Sequence, residues 1–472
     1  MPQLGPASAC SLGLALLCLA GGSGRTAEIG PEEPMAHIRA LQEIAGANGG
    51  NRAAGTRGYE VSVEYVSEAL RRAGYQVRIE EFTYPYNEER SPPRLLSGAA
   101  RVPAPEGEVR SFTYSGPGDI TAPLRSVDLT LSADGPVQPS TSACEAADFS
   151  GFERGAIALV RRGTCPFFVK VQNAVAAGAN GVIVMNEGTS GQTGGFSASL
   201  GRPMPIPVVG VSYPYGRELA AKADRPEDAT VRLTVDITTS TGSSKNVLAD
   251  APAGENDRRP VVMVGAHLDS VRDGPGINDN GSGVAATLAA ASRVAEASRT
   301  GSIRLRFGFW GAEEIGLVGS RHYASRLSEE ERKQMPLYIN LDMVGSPNFA
   351  RIVLAEPAAD GTAAVASNTM LEHFAARSLA AERRAAGPLG TFSTDMASFR
   401  GRGIPVVGLY TGSAELKRED QVAGSGGTAG QPHDSCYHRA CDTSDNVSAA
   451  VLTDMAGALT DALLALLRSE LR

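Results

Sequence analysis

Histidine and cysteine are scarce in this chain, and no basic run stands out. Among 472 residues there are six histidines and six cysteines, and the net charge of −8 comes with no basic cluster. Without such a cluster the electrostatic footprint of a nucleic-acid partner or a polybasic membrane anchor is absent. The apolar run at residues 11–20, SLGLALLCLA, is too short to cross a bilayer. It suits the core of a signal peptide over residues 1–27, although no Lys or Arg precedes it. The expectation is a secreted or periplasmic protein with no stable membrane span once mature.

Cleavage there removes Cys10 and Cys18 and leaves Cys144, Cys165, Cys436 and Cys441. An even count in an exported protein favours disulfides. Three connectivities are open, of which the local pairs 144–165 and 436–441 are the simplest. The rival reading of Cys436 and Cys441 is half of a structural zinc site, which needs two further soft ligands.

The length favours two domains, one inserted in the other. Residues 34–82 read as helix, loop, helix and strand, with Gly74 as a helix stop. Residues 86–140 are rich in Pro, Ser and Gly and show short alternating strands without a helix. Strand candidates follow at 156–160, 181–185 and 206–211, with a helix at 167–177 between the first two. From residue 245 strands and helices alternate: strands at 261–266, 303–310, 337–341 and 404–410, helices at 282–297 and 450–467. That alternation predicts an α/β fold whose mainly parallel sheet is covered on both faces, with ligands gathering at the carboxyl ends of its strands.

Several acidic and histidine residues fall near those ends. His267 stands in Gly-Ala-His-Leu-Asp-Ser, Asp279 in Asn-Asp-Asn-Gly-Ser-Gly, Glu313 and Glu314 in Trp-Gly-Ala-Glu-Glu-Ile-Gly, and Asp342 in Asn-Leu-Asp-Met. His438 stands in Cys-Tyr-His-Arg-Ala-Cys. Each has an ordinary alternative: a surface histidine, a helix cap at Asp279, a solvated pair at Glu313 and Glu314. Carboxylates at the floor of a cleft are costly without cations, however. Two imidazoles and three carboxylates are what a pair of zinc ions requires, with one carboxylate shared and one further glutamate free to act as a base. Asp269, two residues beyond His267 on an extended segment, faces the same way and can fix the imidazole tautomer. His37, His322, His373 and His433 keep the surface or capping reading.

The order His267, Asp269, Asp279, Glu313-Glu314, Asp342, His438 resembles that of the secreted bacterial aminopeptidases with two co-catalytic zincs. Their superfamily includes glutamate carboxypeptidase and the transferrin receptor. Gly49-Gly50-Asn51-Arg52-Ala53-Ala54-Gly55-Thr56 and Gly426-Gly427-Thr428-Ala429-Gly430 resemble its leucine-type branch. The run Gly-Ala-Ile-Ala-Leu-Val-Arg-Arg-Gly-Thr-Cys-Pro-Phe, followed by residues 170–179 and 181–186, resembles the protease-associated (PA) domain. That domain carries no catalytic chemistry in the families where it occurs, so Lys170, Asp148 and Glu145 read as surface or local structure.

With the signal peptide at 1–27 read from the apolar run, the resemblance implies catalytic segments at 28–115 and 240–472 and a PA domain at 116–239. It assigns two Zn2+ per chain: His267 and Asp342 on one, Glu314 and His438 on the other, Asp279 bridging. Glu313 becomes the general base for zinc-activated water, Tyr437 the oxyanion donor, and the Asp279–Asn280 peptide cis. The implied substrates are peptides with a free N-terminus, cleaved at the first bond by a monomer. A carboxypeptidase on the same scaffold and a receptor-like binding protein are the rivals. One position departs from the family: Ser393 stands where close relatives read arginine, ahead of Thr394-Asp395-Met396.

Overall fold

The computed structural model describes residues 28–469 except 99, 132–139, 190–191, 226–227, 255–256, 357–358 and 386–393. The signal-peptide segment and Ser393 therefore lie outside the described residues. Four parallel strands form the centre of the larger half, in the spatial order Val406–Tyr410, Leu337–Leu341, Val261–His267, Arg304–Trp310. The strand Ile352–Ala355 runs antiparallel beside the first, and Thr230–Asp250 antiparallel beside the last, so the sheet is mixed. Every residue of Val261–His267, Leu337–Leu341 and Val406–Tyr410 is buried, which is why these segments are apolar apart from Asn340 and the terminal His267.

Helices Glu32–Ala47, Arg57–Arg72, Gly283–Thr300, Gly361–Ala376 and Ala449–Arg468 share one apolar core with one face of this sheet. Val318–Arg326 and Met396–Arg400 cover the other face through Tyr323, Ala324, Met396 and Phe399. Ala449–Arg468 is long and apolar enough to span a membrane, but most of it is buried here as a core helix.

The PA-like half is a smaller sheet of Gly118–Ser126, Ile157–Arg161, Gly181–Met185, Val208–Val211 and the edge strand Val109–Ser111. Helices Phe167–Ala177 and Tyr213–Ala223 accompany it. A long two-stranded ribbon joins the halves: Gln76–Ser97 pairs with Thr230–Asp250 from Gln76 opposite Asp250 to Ser97 opposite Val231. The first strand thus runs well past the expected end at residue 82. Its prolines at 92 and 93 fall in a register shift between Ser91 and Arg94, where a residue without an N–H costs no ladder bond. Lys170 is fully buried and donates Nζ to the Ser142 carbonyl, so it is local structure and not surface. Glu145 and Asp148 cap the short helix Ala146–Phe149 reciprocally.

The parallel strands bring their carboxyl ends to one edge. His267 is the last residue of its strand, Asp342 follows Leu341, and Glu313 lies three residues beyond Trp310. Arg52, in the loop before Arg57–Arg72, holds two of the segments at this edge together. It is fully buried, with Nε on the Pro275 carbonyl at 3.0 Å, Nη2 on the Gly276 carbonyl at 2.6 Å and Nη1 on the Leu268 carbonyl. Arg52→Met would leave three carbonyls without these donors. A loss of about 3 kcal/mol or more is expected, read as a lower urea midpoint; an unchanged midpoint would show that the segments hold without it.

Candidate metal centre

Five side chains converge on one carboxylate. His267 Nε2 lies 3.2 Å from Asp279 Oδ1 and 3.4 Å from Asp342 Oδ1. On the other side, His438 Nε2 lies 3.1 Å from Asp279 Oδ2 and 3.0 Å from Glu314 Oε2. The two oxygens of Asp279 therefore face different imidazoles, each accompanied by a further carboxylate. Glu313 joins the His267 side, its ligand atom and those of His267 and Asp342 lying within 4.8 Å of one another. The Asp279–Asn280 peptide is cis.

The surroundings fix these groups. His267 Nδ1 meets the backbone carbonyl of Asp269 at 3.1 Å, whereas the Asp269 carboxylate is 3.7 Å away. A carbonyl only accepts, so Nδ1 carries a hydrogen, and Nε2 is the nitrogen turned to the acids, a donor to them when the imidazole is charged and a free lone pair for a cation when it is neutral. The Asp269 carboxylate instead accepts the N–H groups of Glu313 and Glu314, at 3.0 and 3.4 Å, which ties the His267 strand to the Glu313 loop. Behind Asp279, the Asp442 carboxylate accepts from the amides of Asn278 and Asp279 at 2.8 and 3.0 Å. Asp434 accepts from Asn278 Nδ2, Asn446 Nδ2 and the Cys436 amide at 2.7, 2.9 and 2.7 Å. Cys436 and Cys441 are disulfide-bonded, as are Cys144 and Cys165. Tyr437 and His438 sit between Cys436 and Cys441, their rings stacked 3.8 Å apart.

The electrostatics call for a cation. Burial drives the carboxyls of Glu313 and Glu314 above their ordinary range, and burial lifts Asp395 to about 7. Burial also disfavours charging the two imidazoles, but the acids around them outweigh it and raise both. Asp279 is held low despite its burial, because both histidines contact it. Glu314 Oε1 and Asp342 Oδ1 are buried with no hydrogen-bond partner. Buried carboxylate oxygens without donors are expensive, and nitrogen–oxygen sets of this kind suit zinc. The residues present therefore fit a metal site.

Four residues of this site carry no role in the motif reading. Arg52 and Thr394 stand inside motifs that give the family resemblance, and Asp442 directly follows Cys441. Asp395 is fully buried with both oxygens unpartnered, and the charges of His267 and Asp342 act on it. Only its place after Thr394 in a family motif could have pointed to it. The remaining histidines have partners elsewhere: His37 with Tyr65, His322 against Phe82, His373 with Asp461 and His433 with the Asn348 carbonyl.

Residues 246–463 match the model of peptidase family M28, and residues 127–219 match that of the PA domain. An aminopeptidase of Pseudomonas aeruginosa is 42% identical over 427 residues, 87% of this chain and 76% of that protein. A probable lipoprotein aminopeptidase of Mycobacterium tuberculosis is 35% identical over 429 residues, 89% of this chain and 81% of that protein. Among solved structures, an aminopeptidase from Aneurinibacillus superposes with a TM-score of 0.73 at 27% identity, covering 95% of this chain and 96% of its own.

If the sulfur bridge positions His438, then Cys436→Ser/Cys441→Ser loosens one end of the site without unfolding the protein. Closing so short a loop removes only about 2 kcal/mol of chain entropy. Zinc-loaded double variant should lose metal to a mild chelator several-fold faster, with a small change in melting temperature. Equal retention in variant and parent would make the bridge incidental to the site.

Proposed function

The chain belongs to peptidase family M28 and is an aminopeptidase, and from that premise we propose that it works with two zinc ions as an exported enzyme. The observation that carries the two-ion reading is Asp279, whose oxygens lie 3.2 and 3.1 Å from two different imidazoles. A carboxylate so placed could hold one ion through each oxygen. His267 and Asp342 would complete one ion's protein ligands, and Glu314 and His438 the other's.

Zinc in such a site supplies Lewis acidity and lowers the pKa of a bound water. Glu313 has no ion-pair partner among the described residues and stands beside the His267 side of the cluster, which frees it to act as the base. It takes the proton of the attacking water and returns it to the leaving amine. Tyr437, stacked on His438, would donate its hydroxyl to the oxyanion of the tetrahedral intermediate. Burial raises its pKa, so the phenol keeps the proton it donates. The acidic floor suits the positively charged α-amine of a peptide, which supports cleavage at the amino end.

Export rests on the apolar stretch at residues 11–20 and on the two disulfides, which belong in an oxidising compartment. The PA-like half contributes none of the residues named for the chemistry.

Two glutamine variants separate base from ligand. Glu313→Gln should lower turnover of an aminoacyl nitroanilide by about 10^3-fold with the zinc content of the parent, whereas Glu314→Gln should lose zinc. N-acetylation of the substrate should abolish cleavage by the parent. The reverse pattern of zinc loss would exchange the two roles, and cleavage of the acetylated substrate would contradict the aminopeptidase reading.

A further inference from the structure

A hydrogen-bond chain crosses the sheet and ends on Asp342. Trp310, the one tryptophan of the chain, donates its indole Nε1–H to the Tyr338 hydroxyl at 2.9 Å. Tyr338 donates to Asn340 Oδ1 at 2.7 Å, Asn340 Nδ2 to Thr394 Oγ1 at 3.0 Å, and Thr394 to Asp342 Oδ2 at 2.6 Å. Trp310, Tyr338, Asn340 and Thr394 are all buried. The two ends fix the direction of every proton between them. An indole can only donate and an ionised carboxylate can only accept, so each intermediate group accepts from one side and donates to the other.

The sheet is built to let the chain pass. Tyr338, Asn340 and Asp342 are two residues apart on one segment and face the same way. Across from Asn340 lies Gly265, and beyond it Gly308, in register on neighbouring strands. A Cβ at Gly265 would overlap the Tyr338 hydroxyl and come within 2.6 Å of the Trp310 nitrogen. The Tyr338 ring is stacked on Phe399 at 3.7 Å, and burial raises its pKa, which keeps it an O–H donor. The outcome is asymmetric at Asp342: Oδ2 is occupied by Thr394, while Oδ1 has no hydrogen bond and lies 3.4 Å from His267 Nε2.

We propose that Tyr338, Asn340 and Thr394 are positioning residues for the metal site, a one-way relay that holds Asp342 by one oxygen and leaves the other to the ion shared with His267. This rests on the two-zinc reading above. Aligned donors polarise one another, so the last bond to the carboxylate is stronger than an isolated hydroxyl contact. Removing a partner that orients a ligand typically costs about 10- to 100-fold in metal affinity or activity.

Thr394→Val keeps the shape and deletes the last donor, Thr394→Ser keeps the donor, and Tyr338→Phe deletes one oxygen from a ring that stays stacked on Phe399. Zinc affinity by chelator competition, melting temperature of the metal-free protein, and kcat and KM are compared with the parent. The expected order is Thr394→Ser within about 3-fold of the parent, with Thr394→Val and Tyr338→Phe weaker for zinc by about 10-fold or more. Their kcat should fall more than KM changes. If Thr394→Val does not fold, Tyr338→Phe decides alone. Parental zinc affinity and kcat in the folded valine and phenylalanine variants, even with a lowered melting temperature, would assign the chain to packing and overturn the proposal. A parent protein that takes up no zinc would instead overturn the reading of the site itself.

Discussion

Negative charge gathered where water is largely excluded is the constraint around which this molecule is arranged. Asp279, Glu313, Glu314, Asp342 and Asp395 stand near the carboxyl edge of the central strands, and among the described residues His267 and His438 are the basic groups in contact with this set. Two like charges about 4 Å apart repel by roughly 4 kcal/mol at an effective dielectric constant near 20. Several such pairs exceed what surface ion pairs elsewhere can return, since those contribute at most about 1 kcal/mol each. The acids must therefore share protons, borrow them from the imidazoles, or hold cations. The opposed oxygens of Asp279 favour the last.

Holding the cluster open falls to groups that make no appeal to the substrate. Arg52 grips the carbonyls of Leu268, Pro275 and Gly276, while Asp442 grips the amides of Asn278 and Asp279. The segment carrying Asp279 is thus gripped through carbonyls on one side and amides on the other. Asp269 performs the same service between the His267 strand and the Glu313 loop. Together with the Thr394 bond to Asp342, these contacts orient side chains that would otherwise turn away from one another.

Much of this is legible in the residues alone. The runs at 261–266 and 337–341 are apolar but for Asn340 because both faces of those strands are covered, and an acid or histidine at the end of such a run has few ordinary explanations. Two kinds of feature resist that reading. Gln76–Ser97 continues through prolines that look like strand ends, because its length is set by a partner more than a hundred residues away. Arg52 and Asp442 hold backbone groups 224 and 164 positions away, and Tyr338 accepts from Trp310 28 positions away on another strand; no periodicity or spacing marks such partners. Asp269 lies between these cases. Its spacing from His267 is plain, but whether carboxylate or carbonyl meets the imidazole depends on how the chain turns after the strand.

The proposed role of Asp279 is to bridge two ions. Crystals grown with zinc and measured on both sides of its absorption edge test it most directly. The account predicts two anomalous peaks, one beside His267 and Asp342 and one beside Glu314 and His438, each in contact with a different oxygen of Asp279. A single peak, or peaks that leave Asp279 uncoordinated, would contradict it.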